Sequence, residues 1–168
     1  MFSGKTTELL KQAKKYSHIK KVLLINYLED NRYSTTEVKT HDLYSVNIPT
    51  IFTSNLMDNL ENCKSNYDVI CINEAQFFDN LRNFIESLLN HSKILYVSGL
   101  DGDFKQQPFG QILDIIPLCN TVSKLSAFCK ICNNGKLAHF TKRTINSDEQ
   151  KLIGSGEYYT PVCREHLS

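Results

Sequence analysis

Residues 1–10, MFSGKTTELL, decide how the rest of the chain is read. Ser3-Gly4-Lys5-Thr6 is the end of the phosphate-binding pattern G-x-x-x-x-G-K-[ST], in which a turn launched by a buried strand opens directly into a helix. Taken alone, the four residues could equally be a helix N-terminus capped by Ser3. The first glycine of the pattern would fall two residues before Met1, and the launching strand earlier still. A loop without that strand has no anchor. Its neighbours in the middle of the fold would also lose a partner, a defect larger than the ~5–15 kcal/mol that a domain has to spare. The expectation is therefore about 8–20 further native residues, a short apolar strand and a turn ending in Gly-x before Met1.

Working outward, TTELLKQAKKY (6–16) places Leu9, Leu10, Ala13 and Tyr16 on one helical stripe with lysines opposite, so a helix follows the Gly-Lys-Thr at once. KVLLIN (21–26), YDVICIN (67–73) and KILYVSG (93–99) are short continuous apolar runs, the texture of strands buried on both faces of a parallel sheet. Between the last two, residues 78–91 carry Phe78, Leu81, Phe84, Ile85, Leu88 and Leu89 at helical spacing, giving a strand–helix–strand unit. The class is α/β, with a parallel nucleotide-binding sheet. From about Asn120 the texture changes to short β-like pieces and a long polar segment, which predicts a core over 1–119 and a small subdomain over 120–168.

Composition narrows the class of function. A hydrophobic fraction of 41% with 22% charged residues is globular, and a net charge of +1 gives no field for steering onto nucleic acid or an anionic membrane. No run approaches a membrane span and no signal-peptide pattern opens the chain, so the expected address is the cytoplasm, the host's if the source is viral. Six cysteines in such a chain read as thiols or metal ligands rather than a disulfide framework.

Two constellations carry chemistry. At the end of YDVICI stands Asn73-Glu74-Ala75-Gln76, where nucleotide-binding α/β proteins place a metal-side carboxylate. With it, Ser3, Gly4, Lys5 and Thr6 would cradle the phosphates of ATP, Lys5 neutralising charge and the Thr6 hydroxyl ligating Mg²⁺ beside Asn73. Gln76 falls on the same ATP side. Glu74 either takes a proton from an attacking hydroxyl or is a solvated loop carboxylate. The second is Cys129-x-x-Cys132 with Cys163-x-x-His166, four ligands for a closed, structural Zn²⁺. Thirty residues separate Cys132 from Cys163, a span that reads as a lid stapled at its base. After KILYVSG, Phe104 and Phe109 either sandwich a planar ring or belong to the core. Asp30-Asn31-Arg32 follows KVLLIN in the same way, and Arg32 either stabilises a transferring phosphoryl group or is a surface charge.

Jointly, "MFSGKTTELL", "DNRYS" with "THD", "EAQFFDN", "GLDGDFKQQPFGQILDIIPL", "KLSAFCKIC", "TKR" and "LIGSGEYYTPVCREH", in that order, resemble the type II thymidine kinases over Met1 to His166. The resemblance implies a phosphate-loop core with a zinc-anchored lasso over the nucleoside, often a homotetramer, and transfer of the ATP γ-phosphate to the 5′-hydroxyl of deoxythymidine. It makes Glu74 the general base and puts Asp30, Asn31 and Arg32 beside the triphosphate. It places Met1, Phe77, Leu100, Phe104 and Phe109 around the thymine, and Thr141, Gln150, Lys151, Leu152, Ile153, Gly154 and Tyr159 on the lasso that holds the base. A site of that kind reads thymine by amide hydrogen bonds and a small slot for the 5-methyl.

The chain departs from the family pattern at Asn73, where an aspartate is usual, which implies weaker Mg²⁺ binding rather than lost chemistry. It also carries two extra residues between Cys132 and "TKR", which bears on Thr141. Two rival readings stand beside the leading one. A catalytically weak homologue that binds nucleotide is motivated by Asn73 and the absent glycine. A zinc-ribbon nucleic-acid binder is opposed by the near-neutral charge and by the phenylalanine-bearing segment 100–110. Neither a nucleic acid nor a membrane is an expected partner.

Overall fold

The computed structural model describes residues 1–28, 48–152 and 158–167. Helix α1 (Lys5–Ser17) starts directly after Gly4, and its apolar stripe buries Leu9, Leu10 and Ala13, while Lys14 and Lys15 sit in the last turn, where cations favour the helix dipole. Strand β1 (Val22–Tyr27) follows and is buried along its whole length. After the residues outside the description come β2 (Thr50–Thr53), α2 (Leu60–Asn66), β3 (Val69–Ile72), α3 (Leu81–Leu89) and β4 (Ile94–Val97). The four strands form one parallel sheet in the order β2-β1-β3-β4.

Alternation along each strand sorts the side chains onto two faces. Leu23, Ile25, Ile70 and Ile72 face Leu56, Cys63 of α2, and Leu81, Phe84, Ile85 and Leu88 of α3. Val22, Leu24, Val69 and Cys71 face Leu9, Leu10 and Ala13 of α1. The result is a helix–sheet–helix sandwich, the α/β class that the continuous apolar runs predict.

The structure corrects several details of that reading. β2 and α2 carry no signal: the apolar run of β2 is only Ile51 and Phe52 between threonines, and α2 buries only Cys63, so neither shows a period. β3 and β4 are shorter than their apolar runs; ahead of β3 the Asp68 side chain accepts from Lys21 N at 3.0 Å, while its backbone donates to Lys21 O at 2.9 Å and accepts from Ile94 N at 3.0 Å. Phe78 packs in the core ahead of α3, whose N-cap is Asn80, and Leu89 is 48% exposed instead of lying on the stripe. Among the described residues, β4 has a partner on one side only.

Beyond β4 the chain forms two short antiparallel pairs, β5 (Ala127–Phe128) with β6 (Leu137–Ala138) and β7 (Phe140–Arg143) with β8 (Tyr159–Val162). They share a third, much smaller apolar cluster of Ala127, Cys129, Ala138, Val162 and Cys163. Among the described residues no helix is long and apolar enough to cross a membrane.

Candidate active site

The site forms where α1 begins and where β1, β3 and β4 end. Gly4, with φ of 78°, is the N-cap of α1, so Ser3 is not the capping residue, and glycine brings no side chain to occupy the first-turn amides. The N-cap residue therefore makes no side-chain hydrogen bond to the first-turn N–H groups, the arrangement that receives phosphate oxygens. Lys5 and Thr6 follow on the first turn, both half-buried. The Thr6 hydroxyl donates to Asn73 Oδ1 at 3.4 Å, which brings together the two residues that the sequence assigns to Mg²⁺. Asn73 lies just past β3, 1% exposed, and its amide Nδ2 donates at 2.9 Å to Asn26 Oδ1, a fully buried residue near the end of β1. Asn26 escaped sequence reading, although a lone amide in the run VLLINY is the signal that marks it.

Glu74 stands next in line and is 9% exposed, which excludes a freely solvated carboxylate. Its backbone is left-handed (φ 50°, ψ 42°), a conformation that costs a non-glycine residue about 1–3 kcal/mol and that collects at functional sites. Gln76, fully buried, donates from Nε2 to Glu74 Oε2 at 2.6 Å and accepts from Leu100 N at 3.0 Å. One amide thus ties the carboxylate to the loop after β4.

That loop is pinned by glycine. A Cβ on Gly110, whose φ is 56°, would lie 2.2 Å from the Gln76 carbonyl oxygen, and the clash is with backbone, which cannot swing aside. Gly110→Ala is expected to lower stability by about 2–3 kcal/mol and to displace the loop away from Glu74. Thermal unfolding measures this, and an unchanged midpoint would refute the constraint.

The aromatic residues divide. Phe77 and Phe109 meet edge to face at 5.6 Å, Tyr27 stacks on Phe77 at 5.1 Å, and all three are buried in the main core. Phe104 is half-buried, and one face of its ring carries the Arg143 guanidinium at 3.7 Å. Phe104 and Phe109 therefore have different surroundings. Leu100 is half-buried and packs against the same core.

The lasso reaches back to these elements. Met1 N donates to Thr141 Oγ1 at 3.1 Å, and Gln150 Nε2 donates to Asp103 Oδ2 at 2.7 Å and to Pro108 O at 3.2 Å. Tyr159 OH donates to Leu152 O at 2.7 Å and accepts from Arg143 Nη2 at 2.8 Å. Arg143 also donates to Ser147 O at 2.8 Å, so one guanidinium joins β7, β8 and the phenylalanine wall. Lys151 pairs with Asp79 at 2.9 Å, an exposed ion pair of little energetic weight. Asp30, Asn31, Arg32, Ile153 and Gly154 lie outside the described residues.

At the base of the lasso, Cys129, Cys132, Cys163 and His166 turn four ligand atoms to one point, all within 4.8 Å of one another. The Cys132–Cys163 sulfurs are 3.7 Å apart, and His166 Nδ1 lies 3.7, 3.4 and 3.3 Å from the sulfurs of Cys129, Cys132 and Cys163. Ligands ~2.3 Å (S) and ~2.0 Å (N) from a tetrahedral centre are separated by about 3.8 Å (S–S) and 3.5 Å (S–N), so the donor set fits zinc. Burial pushes the Cys129 thiol up, but N–H groups of Cys132, Cys163 and Ile131 outweigh it and bring it down to about 6, while burial and the two neighbouring thiols push Cys132 up to about 11.

The chain matches the thymidine kinase family over residues 1–167. It is 38% identical to thymidine kinase 1 of Dictyostelium discoideum over 98% of this chain and 72% of that protein. It is 41% identical to the thymidine kinase of Myxoma virus (strain Uriarra), over 98% and 90%. With the thymidine kinase of Oryza sativa subsp. japonica the identity is 42%, over 99% and 62%. The helix start at Gly4, the buried Glu74 and the Cys3His cluster lie within the matched stretch, and the chain belongs to the thymidine kinase family.

Proposed function

We propose that this chain phosphorylates deoxythymidine at its 5′-hydroxyl with ATP as donor, in a site whose parts divide the work as follows. Thymidine kinase activity itself comes with membership of the family. The amides of the α1 N-terminus with Ser3 and Gly4 hold the phosphates, and Lys5 offsets their charge. Thr6 and Asn73 form the magnesium side. A magnesium ion held there would supply neutralisation of the charge that develops on the phosphoryl oxygens. Glu74 accepts the proton of the 5′-hydroxyl, and the Gln76 amide orients its carboxylate. Phe104 and Leu100, with Phe77 and Phe109 behind them, wall the base, and Thr141, Gln150 to Gly154 and Tyr159 close over it. The chain divides near Asn120 into the core and a lasso that a structural zinc holds at its base.

The observation that carries this reading is the convergence, at the C-terminal edge of the sheet, of the Thr6–Asn73 contact with the Gln76-oriented carboxylate of Glu74. An assay with ATP, Mg²⁺ and labelled deoxythymidine, run beside a DNA-binding titration, tests it. Formation of the 5′-monophosphate supports the reading; nucleotide binding without turnover would replace it with the inactive homologue.

Asn73→Asp probes the metal side. A carboxylate there adds a negative charge beside Thr6, and Asn26 can turn its amide to donate to it, since Asn26 Nδ2 has no other partner among the described residues. The expected result is a lower Mg²⁺ concentration at half-maximal rate. Identical Mg²⁺ dependence in the two forms would remove residue 73 from the metal side.

A further inference from the structure

We propose that Asn26 is a positioning residue for the phosphate site, fixing the direction in which Asn73 presents its amide; this rests on the function proposed above. A primary amide has two ends of nearly the same shape, one accepting and one donating, and only its partners decide which way it points. Asn73 lies between Thr6 and Asn26. The Thr6 hydroxyl both donates and accepts, so it imposes no direction. Asn26 passes one on: it offers Oδ1 to Asn73 Nδ2 at 2.9 Å with Asn73 Oδ1 turned toward Thr6, and the ligand that takes up Asn26 Nδ2 fixes both amides in this direction. In that direction Asn73 shows an acceptor to the magnesium side; turned over, it would show an N–H₂ group, which cannot serve a cation or the oxygen of a water held by one.

A second observation points to a ligand. Asn26 is fully buried, and its Nδ2 has no hydrogen-bond partner among the described residues. A buried N–H₂ left unpaired is costly, and turning Asn26 over would relieve it at the price of reversing Asn73 as well. The arrangement is completed by an acceptor oxygen arriving at the ends of β1 and β3, and the chemistry of this site makes that a phosphate oxygen. Loading the site with MgATP thus satisfies Asn26 and locks Asn73 in its accepting direction.

Two variants separate positioning from bulk. Asn26→Leu keeps the shape, removes the orphaned donor and leaves Asn73 without a director. Asn26→Asp is acceptor-only, so it must hold Asn73 in the same direction. The readouts are MgATP binding by calorimetry without nucleoside, the Mg²⁺ midpoint of the rate, the deoxythymidine KM and the thermal midpoint. For Asn26→Leu the Mg²⁺ midpoint should rise about tenfold with the deoxythymidine KM and thermal midpoint little changed. For Asn26→Asp the Mg²⁺ midpoint should stay at or below that of the native chain. An unaltered Mg²⁺ midpoint in Asn26→Leu, or the same rise in both variants, would overturn the proposal. If Asn26→Leu does not fold, Asn26→Asp alone decides it, because a raised Mg²⁺ midpoint there contradicts the assigned direction. A native chain that neither binds MgATP nor turns over would instead sink the function on which the proposal rests.

Discussion

Glu74→Gln lowers turnover by roughly 10²–10⁴-fold while ATP affinity stays nearly constant. The substitution is informative because it changes so little else. A glutamine keeps the length and planarity of the side chain, and its Oε1 still accepts from Gln76 Nε2, which in the native chain lies 2.6 Å from Glu74 Oε2. The link through Gln76 to Leu100 N is therefore preserved, and with it the loop that carries Phe104 and Phe109. The left-handed backbone at residue 74 is as strained with glutamine as with glutamate, so stability is no confounder. What would disappear, on the proposed role of Glu74, is the ability to take a proton from the 5′-hydroxyl. Single-turnover rates with saturating ATP and deoxythymidine, beside ATP binding by calorimetry, measure the two quantities separately. A rate equal to the native one would place the base elsewhere, and weakened ATP binding with an intact rate would make Glu74 a phosphate-side residue.

How much of this was legible in the sequence depends on the length scale of the signal. α1, β1, β3, α3 and β4 announce themselves because burial repeats along them, at helical spacing in α1 and without interruption in β1 and β3. β2, no shorter than β3 or β4, offers only Ile51 and Phe52 as an apolar run, and α2 buries only Cys63, so neither shows a period. At the site, the helix opening at Gly4 and the buried carboxylate of Glu74 were legible because their signals are local: a Gly-Lys-Thr opening a helix and a carboxylate ending a strand. The Cys3His cluster was equally plain, since two pairs at ligand spacing are a pattern in themselves. Asn26 and Arg143 were missed for the opposite reason. Their roles exist only across the fold, where β1 meets the end of β3 and where β7 meets the loop after β4. Phe104 and Phe109 show the same limit, for five residues apart in one loop they point one ring toward the lasso and the other into the core.

Removing a metal held by the Cys129, Cys132, Cys163 and His166 cluster should weaken nucleoside binding before it touches ATP binding. The lasso subdomain has little else to hold it. Its apolar cluster contains five buried residues, two of them the ligands Cys129 and Cys163, and its pairs have strands of two and four residues. Isolated hairpins of that size are marginal in water, whereas a structural zinc supplies on the order of 10–16 kcal/mol of binding free energy to the folded form. Cys163 follows β8 directly, and β8 pairs Tyr159 with Arg143 and Pro161 with Thr141. Loss of one ligand therefore frees the end of the strand that positions Tyr159 against Arg143 and Leu152. The sheet and α1, packed by their own two clusters, do not depend on it. Cys163→Ser, or treatment with a strong chelator, should therefore leave ATP binding within about twofold while deoxythymidine binding weakens by roughly 10²-fold or more. Native protein should contain about one zinc per chain by elemental analysis, as a four-ligand site requires. Metal-free protein that retains full affinity for deoxythymidine would show that the lasso stands without its staple, and simultaneous loss of both affinities would show that core and lasso fold as one unit.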